Sequence, residues 1–465
     1  MVTGANSINS LKALRVHVIK ATHRPVYRHL FYLYAGIKCI VLGLALFSAG
    51  FVPPGNTNTD LVLQRHTASS VVDGYLKQFL TPFVRWDAVH MLAIARHGYV
   101  FENQFAFMPL LPTVARAAAE AARALGAGRW LSLETLIGLS GLLFTNSCHY
   151  LAGLLLFLHT RQIFSCDRFA LLTASLFFCN AASIQLTAFY SEAPFALLSF
   201  LGLWALQRRW RLLAAVAWCL GGLARSNGIL LTGFFVYAFL QDHRHATWRR
   251  WLREGVVTVL CCAVSVAGFF GFVSVYASLC FCWAPAAEPR PWCPRGPFQI
   301  GNIYPFVQSH YWNVGLFRYF TAAQIPNFLI AAPMIACSLA AIYLYFEADP
   351  GRFLSGNGII LRTMMPSRRD GPAEAPAQKP PASKFLQNSA VLPHIYLLAF
   401  MLLYTICIAH VQIITRIFTF QPVVYWFIAH LMLSGSRARG RALQTAIGVY
   451  GCLGTVLFAC HYPPA

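Results

Sequence analysis

The 465-residue sequence predicts an all-α polytopic membrane protein, and three observations carry that reading. Hydrophobic residues make up 57% of the chain, charged residues 11%, and the mean hydropathy is +0.55. A soluble chain carries about twice that share of charge. Apolar runs long enough to cross a bilayer recur along the sequence, each needing about 20 residues as a helix. Basic residues gather in clusters between those runs, as the excess of Lys and Arg on cytoplasmic loops requires. The net charge of +21 therefore reports topology, and nucleic-acid binding is a poor reading of it.

Taken in order, residues 1–28 are basic (Lys12, Arg15, Lys20, Arg24, Arg28) and are expected in the cytoplasm. The apolar run 30–52 is too long for a signal-peptide core and lacks a small-residue cleavage site, so it reads as a retained anchor. Residues 53–129 then form a first far-side loop, long enough to escape the charge rule. Spans follow at 131–158, 169–189 and 193–206, with YSEAP at the far-side corner of the last pair. The stretch 212–240 is basic at both ends and broken by ARSNG at 224–228. It must go up and return, so two short helices are expected to meet at ARSNG and face a cavity.

A span at 256–279 leads to a second far-side loop, 280–323, and the chain re-enters at 324–346. Residues 347–390, rich in Pro, Ala, Arg and Lys, read as a disordered cytoplasmic loop. The last segments are 392–408, 418–433 and 443–459, with HVQIITR (410–416) on the far side and the terminal HYPPA opposite the N-terminus. About eleven membrane segments result, in a single membrane domain covering 1–465.

The stretch 85–112, RWDAVHMLAIARHGYVFENQFAFMPLLP, holds two carboxylates, Asp87 and Glu102, in a chain with only 15 acids. At helical spacing Asp87, His90, Ile94 and His97 share a face, and the helix is expected to end near Gly98. FAFMPLLP then reads as a segment on or dipping into the membrane. An acid beside histidines and Trp86 at a membrane edge suits chemistry on a lipid-borne substrate; the alternative is an interfacial helix whose polar face only meets headgroups.

The predicted topology puts nearly all unusual polar motifs on one side: RWDAVH, FENQFAFMP, YSE, ARSNG, YWNVGLFRY and HVQIITR. Charges buried near a membrane centre cost about 2.5–3.5 kcal/mol each, so they usually have a task. Each has a structural alternative. Glu192 would suit a helix N-terminus. Arg225 and Asn227 would satisfy backbone freed at the broken helix. His410, Gln412 and Arg416 would form a solvated turn, and Tyr311 and Tyr319 belong first to an interfacial belt. Arg318 reads as a partner for substrate or for a carboxylate. As one cavity, the arginines and histidines would serve a phosphate, the carboxylates a base and sugar hydroxyls, and Trp and Tyr a platform for a sugar ring or lipid chain, with Trp86, Trp312 and Asn313 among the expected substrate-binding residues.

The 14 cysteines are mostly scattered singly as small hydrophobes. Cys280, Cys282 and Cys293 flank a Pro-rich loop, and a Cys282–Cys293 bridge is expected if that loop is lumenal. No zinc-type CxxC pair, GxGxxG or GxxxxGK[ST] occurs, so neither a dinucleotide nor an ATP motor is supported.

Six collinear motifs resemble the GPI mannosyltransferase 2 family: the 85–112 stretch, FYSEAPFALLSFLG, ARSNGIL, PWC, YWNVGLFRY with QIPNFL, and HVQIITRIF with PVVYWFIAHL. The resemblance runs from Arg85 to the C-terminus; Met108 stands where a second aromatic is expected. It implies a GT-C membrane glycosyltransferase of the endoplasmic reticulum. That family's donor is dolichyl-phosphate-mannose, its acceptor a mannosyl-glucosaminyl, usually acylated, phosphatidylinositol, and its product an α1,6 linkage formed with inversion.

The family's catalytic acid in the first lumenal loop falls on Asp87. Arg85 is then expected to keep Asp87 ionised. Arg225, Arg318, Arg416 and His410 are candidates for the leaving phosphate, and Glu102 for sugar hydroxyls or for holding the loop itself by pairing with an arginine. No cofactor beyond the donor is expected; a metal is not required, since arginines could take the leaving-group role and no ligand cluster of metal spacing is evident. The family resemblance allows a small accessory membrane subunit. Competing readings are another dolichyl-phosphate-sugar-dependent GT-C transferase, a lipid-phosphate or sugar transporter, which would show repeated halves and a mid-membrane site, and a non-catalytic subunit.

Overall fold

The computed structural model describes residues 24–52, 58–65, 67–243, 246–283, 290–294, 299, 301–356 and 383–462. The basic tail before Arg24 and most of the expected disordered loop, 357–382, lie outside the described residues. Helices dominate, and among the described residues there is no strand.

Each of the eleven expected segments contains a helix, but among the described residues only six, or seven with one bent pair, have the length and apolarity of a membrane span. Six helices are long and apolar enough to cross a membrane. They are α1 (Arg24–Phe51), α6 (Leu133–Phe164), the run from α11 (Trp248–Phe270) through a π turn to α12 (Ala277–Phe281), α14 (Ile325–Ala348), α17 (Leu392–Cys407) and α20 (Arg437–Ala459). A seventh is broken: 411–420, containing α18 (Ile414–Ile417), meets α19 (Pro422–Ser434) at 88°. Four more are short: α7 (Asp167–Phe178), α8 (Glu192–Gln207), α9 (Arg211–Ala224) and α10 (Thr232–His243). Short helices survive in a membrane only where protein covers their ends. Here the central helix α6 packs against α7 and α8, and α9 packs between α8 and α11.

The expected span 169–189 needs correcting. Its helix stops at Phe178, and residues 179–190 run as turns, nearly all buried. Irregular backbone inside a membrane bundle needs partners, and α1 and α6 supply them. Lys38 Nζ donates to the Leu186 carbonyl at 3.1 Å and to Thr187 Oγ1 at 2.6 Å. Asn146 Nδ2 donates to the Thr187 carbonyl at 2.9 Å. This turn sets the position of Tyr190.

The first interhelical region is itself helical: α2 (Thr59–Leu63), α3 (Val71–Leu80), α4 (Asp87–His97) and α5 (Leu110–Ala124). FAFMPLLP enters α5, whose Leu111, Ala115 and Ala119 pack in a core with Leu136 and Ile137 of α6, so it does not lie free on a membrane surface. Asp73, fully buried, pins this region to the start of α6 by accepting from Ser132 N (3.0 Å) and Thr135 Oγ1 (2.6 Å). The second region carries α13 (Ile303–His310) and a Cys282–Cys293 disulfide with Cα atoms 5.6 Å apart. Two further short helices, α15 (Pro350–Leu354) and α16 (Ser383–Gln387), flank 357–382, so the edges of that loop are ordered.

Candidate active site

Asp87 opens α4, and the chain must turn sharply to place it there: Trp86, the preceding residue, has φ 54° and ψ −124°. Tyr190 holds this turn. Its Oη accepts from Asp87 N–H at 3.2 Å and donates to the Arg85 carbonyl at 3.2 Å. A carboxylate at a helix N-terminus is favoured by the helix dipole. The helix ends at Gly98, whose φ of 77° suits glycine.

A chain of ion pairs joins four motifs that are remote in sequence. Arg416 Nη2 bonds Asp87 Oδ2 at 2.6 Å, and its Nε bonds Glu192 Oε1 at 2.8 Å. Arg225 Nη1 meets the same Glu192 oxygen at 2.7 Å. Glu192 is fully buried at the first turn of α8, and the Arg416 guanidinium lies 4.9 Å over the Tyr190 ring. Two carboxylates and two guanidiniums balance, which is what a buried cluster needs, since an unpartnered charge there is costly. Asp87 is the most open member, its side chain 31% exposed. Arg416 holds Oδ2, and among the described residues nothing bonds Oδ1.

Asp87 lines a cavity of about 330 Å³ with Asn58, Trp86, Val89, His90, Trp312 and His461. That is within the range of small-molecule sites. One wall is Trp86 stacked on His461, ring centroids 4.4 Å apart. The other is His90 stacked on Phe107 at 5.0 Å, with Trp312 edge-on at 6.0 Å. The indole N–H groups of Trp86 and Trp312 are buried and, among the described residues, without a partner. Aromatic walls with a carboxylate between them suit a hydroxylated ring with an apolar face. Burial holds His90 below its ordinary range, with Asp87 working against that shift.

The structure brings Asp87, Glu192, Arg225 and Arg416 together, and Trp86, His90 and Trp312 around the cavity beside them. Other candidates lie elsewhere. Arg85 is not the ionic neighbour of Asp87: its guanidinium donates to the Ala459 carbonyl at 3.2 Å and to Thr59 Oγ1 at 3.3 Å, tying the end of α20 to this loop. Glu102 accepts from Trp292 Nε1 (3.0 Å) and Tyr311 Oη (3.1 Å), with Arg290 at 3.7 Å, and so joins the two interhelical regions.

Arg318 is exposed, contacting the Ser309 carbonyl at 3.4 Å. Asn313 is an exposed turn residue with φ 51°. His410 stacks on Tyr319 at 4.7 Å, and Gln412 is partly exposed beside it in a 3₁₀ turn. Tyr319 and Tyr311 thus serve loop contacts as well as any interface. Asn227 sits in the turn between α9 and α10 with its Nδ2 buried and, among the described residues, unpartnered. Gly228 allows that turn to fold onto α9, since a Cβ there would lie 2.8 Å from Gly222 N. The expected polar face of α4 extends one turn only, for Ile94 is in the core and His97 is exposed.

Tyr190 and His461 were not singled out from the sequence. Tyr190 adjoins Ser191 and Glu192 in the YSE motif, but its role depends on the irregular turn before it. His461 belongs to the terminal HYPPA, where nothing in the sequence points back to Trp86. Among the described residues no group of three or more His, Cys, Asp or Glu could hold a metal ion.

The multi-pass helical bundle sets an ion-paired carboxylate beside a sugar-sized aromatic cavity, and its family match makes it a membrane-embedded glycosyltransferase of the GT-C class. Relatives narrow this further. The chain belongs to the mannosyltransferase (PIG-V) family, which it matches over residues 30–465. It is 32% identical over 406 residues to GPI mannosyltransferase 2 of Cryptococcus neoformans var. neoformans, covering 83% of this chain and 89% of the relative. It is 29% identical to GPI mannosyltransferase 2 of Yarrowia lipolytica (87% and 94% covered) and 29% identical to the human GPI alpha-1,6-mannosyltransferase 2 (85% and 82% covered).

Proposed function

We propose that this protein transfers mannose from dolichyl-phosphate-mannose to the first mannose of a glycosylphosphatidylinositol precursor, forming an α1,6 linkage with inversion. The observation that carries the reading is the Asp87–Arg416–Glu192 arrangement: one carboxylate oxygen fixed, the other left to a sugar-sized cavity. The names of the relatives supply the substrate class.

In a single displacement Asp87 Oδ1 takes the proton of the acceptor 6-hydroxyl. The deprotonated acceptor oxygen bonds the anomeric carbon as the bond from that carbon to the phosphate oxygen breaks, and the electron pair leaves with dolichyl phosphate. Arg416 holds and orients the Asp87 carboxylate through its bond to Oδ2. Because Arg225 and Arg416 are both occupied by Glu192, the leaving phosphate gains from them only as much as Glu192 releases. The aromatic walls hold the mannose rings.

The reaction is assigned to the lumenal face of the endoplasmic reticulum membrane. Two observations support that orientation. The Cys282–Cys293 disulfide lies in the same region as Trp312, and disulfides persist in oxidising compartments. Arg161, Arg208, Arg209, Arg211, Arg249, Arg250 and Arg253 sit at helix ends opposite the cavity. A small accessory membrane subunit remains part of this proposal, from the family resemblance.

The test is expression of the chain and of Asp87→Asn in cells lacking the second GPI mannosyltransferase, read as surface GPI-anchored protein and lipid-linked intermediates by mass. Rescue by the wild type with accumulation of the one-mannose intermediate in the variant is expected. Equal rescue by both would remove Asp87 from the role of base.

A further inference from the structure

We propose that His461 is a sugar-specificity residue of the transfer site, its imidazole hydrogen-bonding a ring hydroxyl of one of the two mannose units that meet in the cavity. This rests on the transfer reaction proposed above. It begins with the backbone. Helix α20 ends in a Schellman motif: Tyr462 N donates to the Leu457 carbonyl at 2.8 Å and His461 N to the Phe458 carbonyl at 3.0 Å. The residue between helix cap and exit in such a motif adopts a left-handed conformation, and glycine usually fills it. Here it is His461, with φ 62°.

Its stacking partner, Trp86, also has a positive φ, of 54°. Two non-glycine residues held in an unfavoured backbone region, face to face with centroids 4.4 Å apart, must be retained by something other than local preference. Their common property is that both line the cavity that holds Asp87.

The ring chemistry points the same way. His461 Nδ1 is enclosed and, among the described residues, has no hydrogen-bond partner, so Nε2 is the ring nitrogen left to a ligand in the cavity that His461 lines. Burial, and then the Arg85 guanidinium, hold the imidazole below its ordinary range. It is therefore neutral near pH 7 and presents one donor and one acceptor nitrogen. A single neutral ring nitrogen can give or take one hydrogen bond with a sugar hydroxyl, and without positive charge it has little preference for a phosphate. Position is fixed as well: Arg85 grips the Ala459 carbonyl two residues before His461 while its own backbone precedes Trp86. The end of α20 and the loop carrying the base are thus tied to each other.

The backbone conformation offers a clean test, because glycine at this position relieves strain. His461→Gly and His461→Asn are assayed in membranes beside the wild type, with dolichyl-phosphate-mannose and the one-mannose acceptor. Thermal midpoints are measured in detergent. Expected are a His461→Gly midpoint at or above that of the wild type, a fall in kcat/KM of about tenfold, and partial recovery in His461→Asn, which tolerates the left-handed region and keeps a polar side chain. A rise in KM for the donor alone assigns the hydroxyl to the donor mannose, and a rise for the acceptor alone assigns it to the acceptor; either supports the proposal.

Inhibition by dolichyl phosphate, which carries no sugar, should be unchanged; weakening by the same factor would make phosphate the ligand and overturn the proposal. A stable His461→Gly enzyme with wild-type kinetics also overturns it, as does loss of activity that follows a lowered midpoint in both variants. If the wild type does not turn over this donor, the reaction assignment fails instead.

Discussion

Arg416 lies 329 residues beyond Asp87 in the chain and bonds its carboxylate at 2.6 Å, while the same guanidinium holds the buried Glu192. The base candidate is therefore positioned by the fold's far end. Asp87→Asn should lower turnover by about 10³-fold with little change in either KM, as loss of a general base requires. Arg416→Ala should lower turnover and also cost about 2–3 kcal/mol of stability, because it strands a partly buried carboxylate. Steady-state kinetics and thermal melts in detergent check both.

Glu192 and Arg225 form the inner half of the cluster. Glu192→Gln leaves two guanidiniums against one carboxylate and should destabilise more than Arg225→Gln, whose loss still leaves Arg416 on Glu192. The double variant should recover part of the loss, with a coupling of about 1–3 kcal/mol in a double-mutant cycle. Additive effects would mean the pair is not energetically linked.

Tyr190 touches the backbone on both sides of Trp86 through one hydroxyl. Tyr190→Phe keeps the ring under Arg416 and removes only the hydroxyl. It should cut kcat about tenfold through misplacement of Asp87 while both KM values and the thermal midpoint stay near wild type. A change in KM without a change in kcat would argue for a binding role.

The Cys282–Cys293 bridge encloses a short stretch next to Trp292, which donates to Glu102. Replacing both cysteines by serine should cost about 2–3 kcal/mol. Glu102→Ala should produce a similar loosening of the region carrying Trp312. Limited proteolysis of the second interhelical region, compared with the wild type, would register both.

His90 and His461 lie below their ordinary range, each chiefly through burial. The unfolded chain therefore takes up protons near pH 6.5, before the folded one does. Stability present at pH 7.5 should decline as pH falls through that value toward the lower folded values. The melting midpoint of His90→Gln/His461→Asn should fall less between pH 7.5 and 5.5 than that of the wild type.

Much of this molecule was written locally. Long apolar runs dictate helices because a bilayer leaves backbone polar groups no other partner, and Gly98 and the ARSNG turn stop their helices where residue type alone predicts. The motifs around Asp87, Glu192, Arg225 and Arg416 were recognisable as costly charges needing a purpose. Tertiary structure decided which charge meets which. Arg85, next but one to Asp87, turns away to α20, whereas Arg416 arrives from a broken helix near the other end of the chain. The helix expected to reach 189 stops at Phe178 because Lys38 and Asn146, on other helices, satisfy the irregular backbone that follows. Tyr190 and His461 acquire their places only through that packing. Periodicity and propensity act over a few residues, but ion pairing and stacking depend on distance in space, which only the folded chain defines.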